Sequence, residues 1–221
     1  MRYLCGMKLQ RVLCYASIFC IVIFGVLALN YFAEGPLVAV DVWLTDALFG
    51  VRSDTGVRAM SVLTFFASST AVLLGIGATS CVLFFRKQWR TAVMMLGGLV
   101  ATQAFTYFAK ILFHRDRPSE VLHAVIEDSF SFPSGHATSA AFVAGILVYS
   151  FLQAKKRSPR GKYFVILLGL LFIVAIDFSR LYLGVHYLTD VVAGNMVGLV
   201  GALSTIWILK SRLLRDARND G

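Results

Sequence analysis

Three separated stretches of the chain combine cationic side chains with histidine, and together they suggest chemistry on an anion. They cover residues 110–118, 131–136 and 179–190. The cations in the first and third stretches include Lys110, Arg117 and Arg180. A guanidinium group binds a tetrahedral oxyanion through paired N–H donors. If these three side chains converge, the ligand they predict is phosphate.

Two histidines accompany these cations. His186 and Asp190 are four residues apart, which places both side chains on one face if a helix begins near this point. A carboxylate can hold an imidazole through one ring nitrogen and leave the other free to attack phosphorus. The segment ending in His136 precedes an apolar run, so it predicts a helix start with Ser134 as the cap and Gly135 allowing close backbone approach. His136 would add a titratable group beside the anion.

The elements that position these residues follow from the composition. With 58% hydrophobic and only 15% charged residues among 221, the chain is too apolar for a soluble globule. A helix crosses a hydrocarbon core of roughly 30 Å with about 20 residues, and six apolar runs are long enough. They are residues 12–32, 60–85, 91–113, 137–154, 163–178 and 188–209. The fold class predicted is all-α, a polytopic membrane protein with six transmembrane helices.

Basic residues predict the orientation of these spans. Most of the 21 Lys and Arg residues fall in segments that six spans place on one side, so the positive-inside rule makes both termini cytoplasmic. All three polar stretches then fall on the outer side. The basic charge is explained by topology, so nucleic acid is not an expected partner. The basic residues on the cytoplasmic side are Arg2, Lys8, Arg11, Arg86, Lys87, Arg90, Lys155, Lys156, Arg157, Arg160, Lys162, Lys210, Arg212, Arg215 and Arg218.

A short amphipathic segment lies between the first two spans, in the first outer loop. Apolar residues recur at helical spacing over 40–48, while Asp41, Thr45 and Asp46 lie opposite them. The pattern predicts a helix lying in the membrane interface, with Trp43 as its anchor.

Acidic residues near the polar stretches have ordinary explanations. Asp177 precedes Arg180 by three residues, which predicts an ion pair that positions the arginine. Glu127 falls in the third loop, where solvated side chains are normal. The chain lacks an acidic cluster of the kind that two-metal phosphatases use, so neither a metal nor a cofactor is expected.

Read together, the stretches K-x6-R-P at 110–118, P-S-G-H at 133–136 and S-R-x5-H-x3-D at 179–190 resemble the three signature motifs of the type 2 phosphatidic acid phosphatase superfamily. Every motif position is filled, in order. The resemblance covers a core of residues 110–190 within one membrane-embedded domain, 1–221. It implies a metal-independent phosphatase.

The resemblance also implies a role for each motif residue. His186 would be the nucleophile that forms a phosphohistidine, and Asp190 would orient it and stabilise its charge. His136 would protonate the leaving oxygen and later help to activate water. The remaining motif residues would hold the phosphate and its transition state. They are Lys110, Arg117, Ser134, Gly135 and Arg180.

The substrate stays open. An outward-facing site at headgroup depth in a cell (inner) membrane favours undecaprenyl diphosphate, with phosphatidylglycerol phosphate, phosphatidic acid and lipid A phosphates as alternatives. There are two rival classes of protein. One is a vanadate-dependent haloperoxidase, and the other is a transport or structural protein that recognises a headgroup without catalysing a reaction. No obligate protein partner is inferred.

Overall fold

The computed structural model describes residues 2–153 and 158–219, and all regular secondary structure within those two ranges is helical. A short 3-10 helix, Glu120–Leu122, lies in the third loop. The α-helices are α1 (Arg2–Phe32), α2 (Pro36–Gly50), α3 (Asp54–Phe65), α4 (Ser69–Phe85), α5 (Trp89–Phe113), α6 (Gly135–Gln153), α7 (Pro159–Tyr182) and α8 (Leu188–Asn219).

Within these two ranges, six helical segments are long and apolar enough to cross a membrane, which confirms the predicted spans. Many of their large apolar side chains are exposed on the protein surface, including Phe19 at 65% and Leu112 at 73%. Apolar surfaces of this kind are expected on helices that face lipid. The helices also satisfy their own backbone hydrogen bonds, which lipid cannot do. The chain is therefore a multi-pass membrane protein. The segments are Leu9–Phe32, Asp54–Phe85, Trp89–Phe113, Gly135–Gln153, Pro159–Tyr182 and Leu188–Arg212.

The second span differs from the prediction because it consists of two helices, α3 and α4. The chain leaves helical geometry at residues 66–68, and the Ser68 side chain then caps α4 by accepting a hydrogen bond from the Ala71 N–H at 3.2 Å. A serine in this position satisfies one of the free backbone N–H groups of the first helical turn, which favours a new helix start. Four residues of the fourth span and the following loop, Ala154, Lys155, Lys156 and Arg157, lie outside the described residues.

Helices α6 and α8 pack closely along their length through small residues. A Cβ atom at Gly194 would collide with the backbone of Ser134, and one at Gly198 would collide with the Thr138 carbonyl. Small residues that let helix backbones approach are the usual means of association in lipid, where apolar burial alone gives no preference for protein over lipid. This contact brings the first turns of both helices together.

The up-and-down course of the chain gathers the polar stretches at one end of the bundle. Helices α5 and α7 end there, and α6 and α8 begin there. Helix α2, the predicted interfacial helix, packs at the same end. Its Trp43 is 68% exposed, whereas its polar residues Asp41 and Thr45 are buried. The side of α2 that carries Asp41 and Thr45 therefore faces the protein, whereas Asp46 is exposed.

Candidate active site

The three predicted phosphate-binding cations come together at this end of the bundle. Lys110 lies in the last turn of α5 and Arg180 in the last turn of α7, while Arg117 lies in the loop after α5. The Lys110 ammonium donates a hydrogen bond to the Phe130 carbonyl and interacts electrostatically with both arginines. Three like charges held this close need an anion between them.

Glu127 supplies that anion in the protein itself. Its carboxylate accepts a hydrogen bond from Nη2 of Arg180 and lies 3.4 Å from Nη2 of Arg117. Burial alone would raise the pKa of Glu127, but Arg180 and Arg117 outweigh burial and lower it. The prediction of an ordinary solvated loop residue was wrong for Glu127, because the loop folds back over the arginines.

Arg117 and Arg180 are held from several directions. Arg117 donates from Nε to the Ser129 carbonyl at 2.6 Å and from Nη1 to the Val185 carbonyl at 2.7 Å. Arg180 is 1% exposed and donates from Nη1 to the Thr64 hydroxyl at 3.0 Å. Fixed donors of this kind lose little entropy when an oxyanion binds.

His186 is buried, at 2% exposure, in the turn between α7 and α8. Its Nε2 atom lies 3.3 Å from Nη1 of Arg117 and therefore faces the cation cluster. Its Nδ1 atom lies 3.4 Å from Oδ2 of Asp190 and 3.4 Å from the Ser131 hydroxyl. Burial, followed by the charges of Arg117 and Arg180, holds the pKa of His186 well below its ordinary value of 6.5. The imidazole is therefore neutral at neutral pH.

Asp190 lies in the first turn of α8 and is fully buried. Its Oδ2 atom accepts hydrogen bonds from the Ser131 hydroxyl and, at 2.8 Å, from the Tyr187 N–H. Its Oδ1 atom accepts one from Nη1 of Arg115 at 2.6 Å. The predicted His186–Asp190 pair is present, but several other donors hold the carboxylate in place.

The Ser-Gly-His segment begins α6 next to this site. The Ser134 N–H donates to the Asp190 carbonyl at 2.9 Å. The Ser134 hydroxyl accepts a hydrogen bond from the Ala137 N–H at 3.5 Å, which caps the helix. The space beside the Gly135 Cα is open, since a Cβ there would meet no heavy atom within 4 Å. His136 interacts electrostatically with Arg180 and Glu127. The predicted residues of all three stretches thus share one site.

Sequence reasoning missed Arg115 and Asp41 as parts of this site. Arg115 occupies a variable position of the first motif, yet it is buried and contacts Asp190 directly. Asp41 accepts a hydrogen bond from Nη2 of Arg115 at 2.7 Å. Burial alone would lower the pKa of Arg115, but the two carboxylates outweigh it and raise that pKa. The available signal was the polar stripe formed by Asp41 and Thr45 on an otherwise apolar helix.

The predicted ion pair between Asp177 and Arg180 was wrong. Asp177 accepts a hydrogen bond from the side-chain amide of Asn195 on α8 at 2.6 Å, whereas the carboxylate on Arg180 comes from Glu127. Sequence proximity on α7 did not decide the partner, because the guanidinium turns toward the end of the bundle.

This arrangement can bind a tetrahedral oxyanion against fixed cations while a neutral imidazole faces the same space. Across the described residues, no three His, Cys, Asp or Glu side chains are grouped as metal ligands would be. The chemistry available from these side chains is nucleophilic attack by His186, charge stabilisation by the arginines, and proton transfer by His136.

Comparisons with known proteins show the family of this chain. The profile described as "PAP2 superfamily" matches residues 91–213. Phosphatidylglycerophosphatase B of Bacillus subtilis (strain 168) is 32% identical over 158 residues, which are 72% of this chain and 71% of the relative. An undecaprenyl-diphosphatase of Sulfolobus acidocaldarius is 23% identical over 142 residues, which are 62% of this chain and 64% of that protein.

A solved structure resembles the whole bundle. The crystal structure of a transmembrane PAP2-type phosphatidylglycerolphosphate phosphatase from Bacillus subtilis superposes with a TM-score of 0.78 at 27% identity, covering 89% of this chain and 97% of that one. The family resemblance expected from the three motifs is confirmed. This chain belongs to the PAP2 superfamily and is a membrane protein of its lipid phosphatase group.

Proposed function

We propose that the chain is a single-domain, metal-independent lipid phosphatase that works through a phosphohistidine. The observation that carries this proposal is the position of His186 Nε2, 3.3 Å from Nη1 of Arg117. A phosphate held by the arginines would present its phosphorus atom to this nitrogen. Attack forms the Nε2–P bond and breaks the bond from phosphorus to the leaving oxygen, which belongs to the lipid alcohol in a monophosphate and to the lipid monophosphate in a diphosphate.

His136 is proposed to donate a proton to that leaving oxygen. In the second step it accepts a proton from water, whose oxygen attacks phosphorus and breaks the Nε2–P bond, so that inorganic phosphate leaves and both histidines return to their starting states. Asp190 stabilises the positive charge that His186 carries between the steps. Lys110, Arg117 and Arg180, with the Ser134–Gly135 helix start, stabilise the charge on the phosphoryl oxygens.

The proposed location follows from the basic loops. Both termini would be cytoplasmic in a cell (inner) membrane, and the site would face the extracytoplasmic side. The substrate would then be a lipid (pyro)phosphate in the outer leaflet.

An apolar groove supports a lipid as the substrate. It has a volume of about 710 Å³ and lies between α1, α5 and α8, with Phe24 and Phe105 among its lining residues. The Phe24 ring packs against Phe132, 5.6 Å between centroids, two residues before Ser134. An apolar groove of this size within the bundle, joined through this ring contact to the segment that ends in His136, suits an acyl or isoprenoid tail.

Two substrates are proposed for comparison. Undecaprenyl diphosphate is our first choice, because an outward site suits hydrolysis of a carrier lipid diphosphate, and one relative bears the name undecaprenyl-diphosphatase. Phosphatidylglycerol phosphate is the second, favoured by the Bacillus relative and by the similar crystal structure.

The test is phosphate release by purified protein in detergent from both lipids, with phosphatidic acid and a lipid A phosphate in the same panel. We expect release by the wild type, with and without EDTA, and none by His186→Ala.

Acid-labile phosphate on the wild-type protein after brief mixing with labelled substrate would support the phosphohistidine. Full phosphate release by both His186→Ala and His136→Ala would overturn the proposal and favour a headgroup-binding or transport protein. Loss of release on adding EDTA would refute metal independence.

A further inference from the structure

Three buried charged side chains form a network that joins helix α2 to the site. They are Asp41, Arg115 and Asp190. Arg115 donates from Nη2 to Oδ2 of Asp41 at 2.7 Å and from Nη1 to Oδ1 of Asp190 at 2.6 Å. The side chains of both aspartates are 0% exposed, and that of Arg115 is 5% exposed. Asp41 belongs to none of the three motifs, yet one guanidinium separates it from the carboxylate beside His186.

The geometry of this charged network is fixed by contacts from several sides. The Thr189 N–H donates to Oδ1 of Asp41 at 2.9 Å, and the Thr189 hydroxyl accepts from Nη1 of Arg115 at 2.6 Å. The guanidinium carbon also lies over two aromatic rings, 5.0 Å from the centroid of Tyr31 and 4.4 Å from that of Tyr187. Arg115 therefore has little freedom to choose another partner.

The charge balance of this network favours the positive charge that develops on His186 during phosphoryl transfer. Two carboxylates share one guanidinium, so the group carries a net negative charge in a buried place, which is costly without a further cation. The Oδ2 atom of Asp190 lies 3.4 Å from Nδ1 of His186. A positive charge that develops on the imidazole would balance the group. If Asp41 were neutral, Arg115 would compensate Asp190 alone, and that stabilisation would weaken.

We propose that Asp41 is a positioning residue for phosphoryl transfer, which acts through Arg115 to orient Asp190 and to preserve its negative charge next to His186. This inference rests on the proposed function, because it takes His186 as the nucleophile. It assigns α2 a part in the reaction, although Asp41 contacts neither the phosphate-binding cations nor the imidazole in the contacts described above.

The test compares Asp41→Asn with Asp46→Asn, which removes the same charge from an exposed position of the same helix. We expect kcat of Asp41→Asn to fall about 10- to 100-fold, the usual cost of losing an outer partner of a catalytic group. KM, and the inhibition constant for inorganic phosphate, should stay near their wild-type values because Lys110, Arg117 and Arg180 are untouched. Asp46→Asn should match the wild type. An unchanged kcat in Asp41→Asn, or a change in KM alone, would overturn the inference.

A second pair of variants covers the case in which Asp41→Asn does not fold. Thr189→Val removes the hydroxyl that contacts both Asp41 and Arg115 but leaves every charge in place. We expect kcat to fall about tenfold, as for the loss of one hydrogen bond to a charged group. Thr189→Ser restores the hydroxyl and should recover kcat. Wild-type kcat in Thr189→Val would contradict the inference even without data on Asp41.

His186→Ala separates this inference from the proposed function. If His186→Ala remains active, the nucleophile is wrong and the role of Asp41 fails with it. If His186→Ala is inactive while folded Asp41→Asn behaves like the wild type, the proposed function stands and only the positioning role fails.

Discussion

Nε2 of His186 lies 3.3 Å from Nη1 of Arg117, while the same guanidinium donates to the Val185 carbonyl at 2.7 Å. Val185, the residue just before His186, thus anchors Arg117, and the Arg117 guanidinium faces the imidazole ring of His186. A phosphate bound to Arg117 would therefore lie next to the imidazole.

Arg117→Lys should reduce kcat/KM by about 10²- to 10³-fold, the range for removing a preorganised donor from a transition-state site. A lysine keeps the charge but loses the planar fork that binds the Ser129 and Val185 carbonyls together with the oxyanion. Phosphate release measured across substrate concentrations would give this value. Arg58→Lys, at an exposed position of α3, is the control and should change nothing. Equal activity of both variants would mean that Arg117 does not contact the phosphate.

Glu127→Gln should tighten the binding of inorganic phosphate, seen as an inhibition constant lower by roughly tenfold. The carboxylate now pairs with Arg180 and Arg117, so an incoming phosphate must compete with it for the same donors. A neutral amide competes less well. Asp128→Asn, which removes a charge from the exposed neighbouring position, should have a much smaller effect. Weaker phosphate inhibition in Glu127→Gln would instead mean that Glu127 chiefly orients the arginines.

The rate should fall at both extremes of pH, with the acid limb of kcat/KM below pH 6.5. The pKa of His186 is lowered from 6.5 by burial and by the neighbouring arginines, so the imidazole stays neutral and nucleophilic as the pH falls through that value. At high pH the rate should fall because His136, whose charged form a bound phosphate stabilises, loses the proton that it donates.

The acid limb must be distinguished from ionisation of the lipid substrate, since a phosphomonoester has its own second pKa of about 6. Comparing two substrates makes this distinction. A limb that belongs to the enzyme should appear at the same pH with a monophosphate and with a diphosphate lipid. A monotonic profile with both would exclude the division of labour between His186 and His136.

Gly198→Ala should lower the thermal unfolding temperature in detergent, because the added Cβ would collide with the Thr138 carbonyl and push α8 away from α6. Overpacking of this kind typically costs about 1–3 kcal/mol. Gly97→Ala on α5 is the matched control, since its Cβ would meet no heavy atom within 4 Å. That variant should be neutral or slightly more stable, as expected for alanine in a helix. Equal unfolding temperatures for the two variants would show that α6 and α8 can separate at no cost.

The amino-acid sequence alone was enough to predict six helical spans, the short helix after the first span, and the meeting of three polar stretches at one end. These features depend on local properties. Lipid requires long apolar helices, and helices that alternate in direction place the end of α5, the start of α6, the end of α7 and the start of α8 together.

Only the tertiary structure decided which charges pair inside the site. Arg115 contacts Asp41, 74 positions away in the chain, and Arg180 contacts Thr64, 116 positions away. Glu127 replaced Asp177 as the carboxylate on Arg180, although Asp177 lies on the same helix. Periodicity and spacing describe which face of an element is polar, but the partner of a buried charge depends on how separate elements pack, and that information is not local in the sequence.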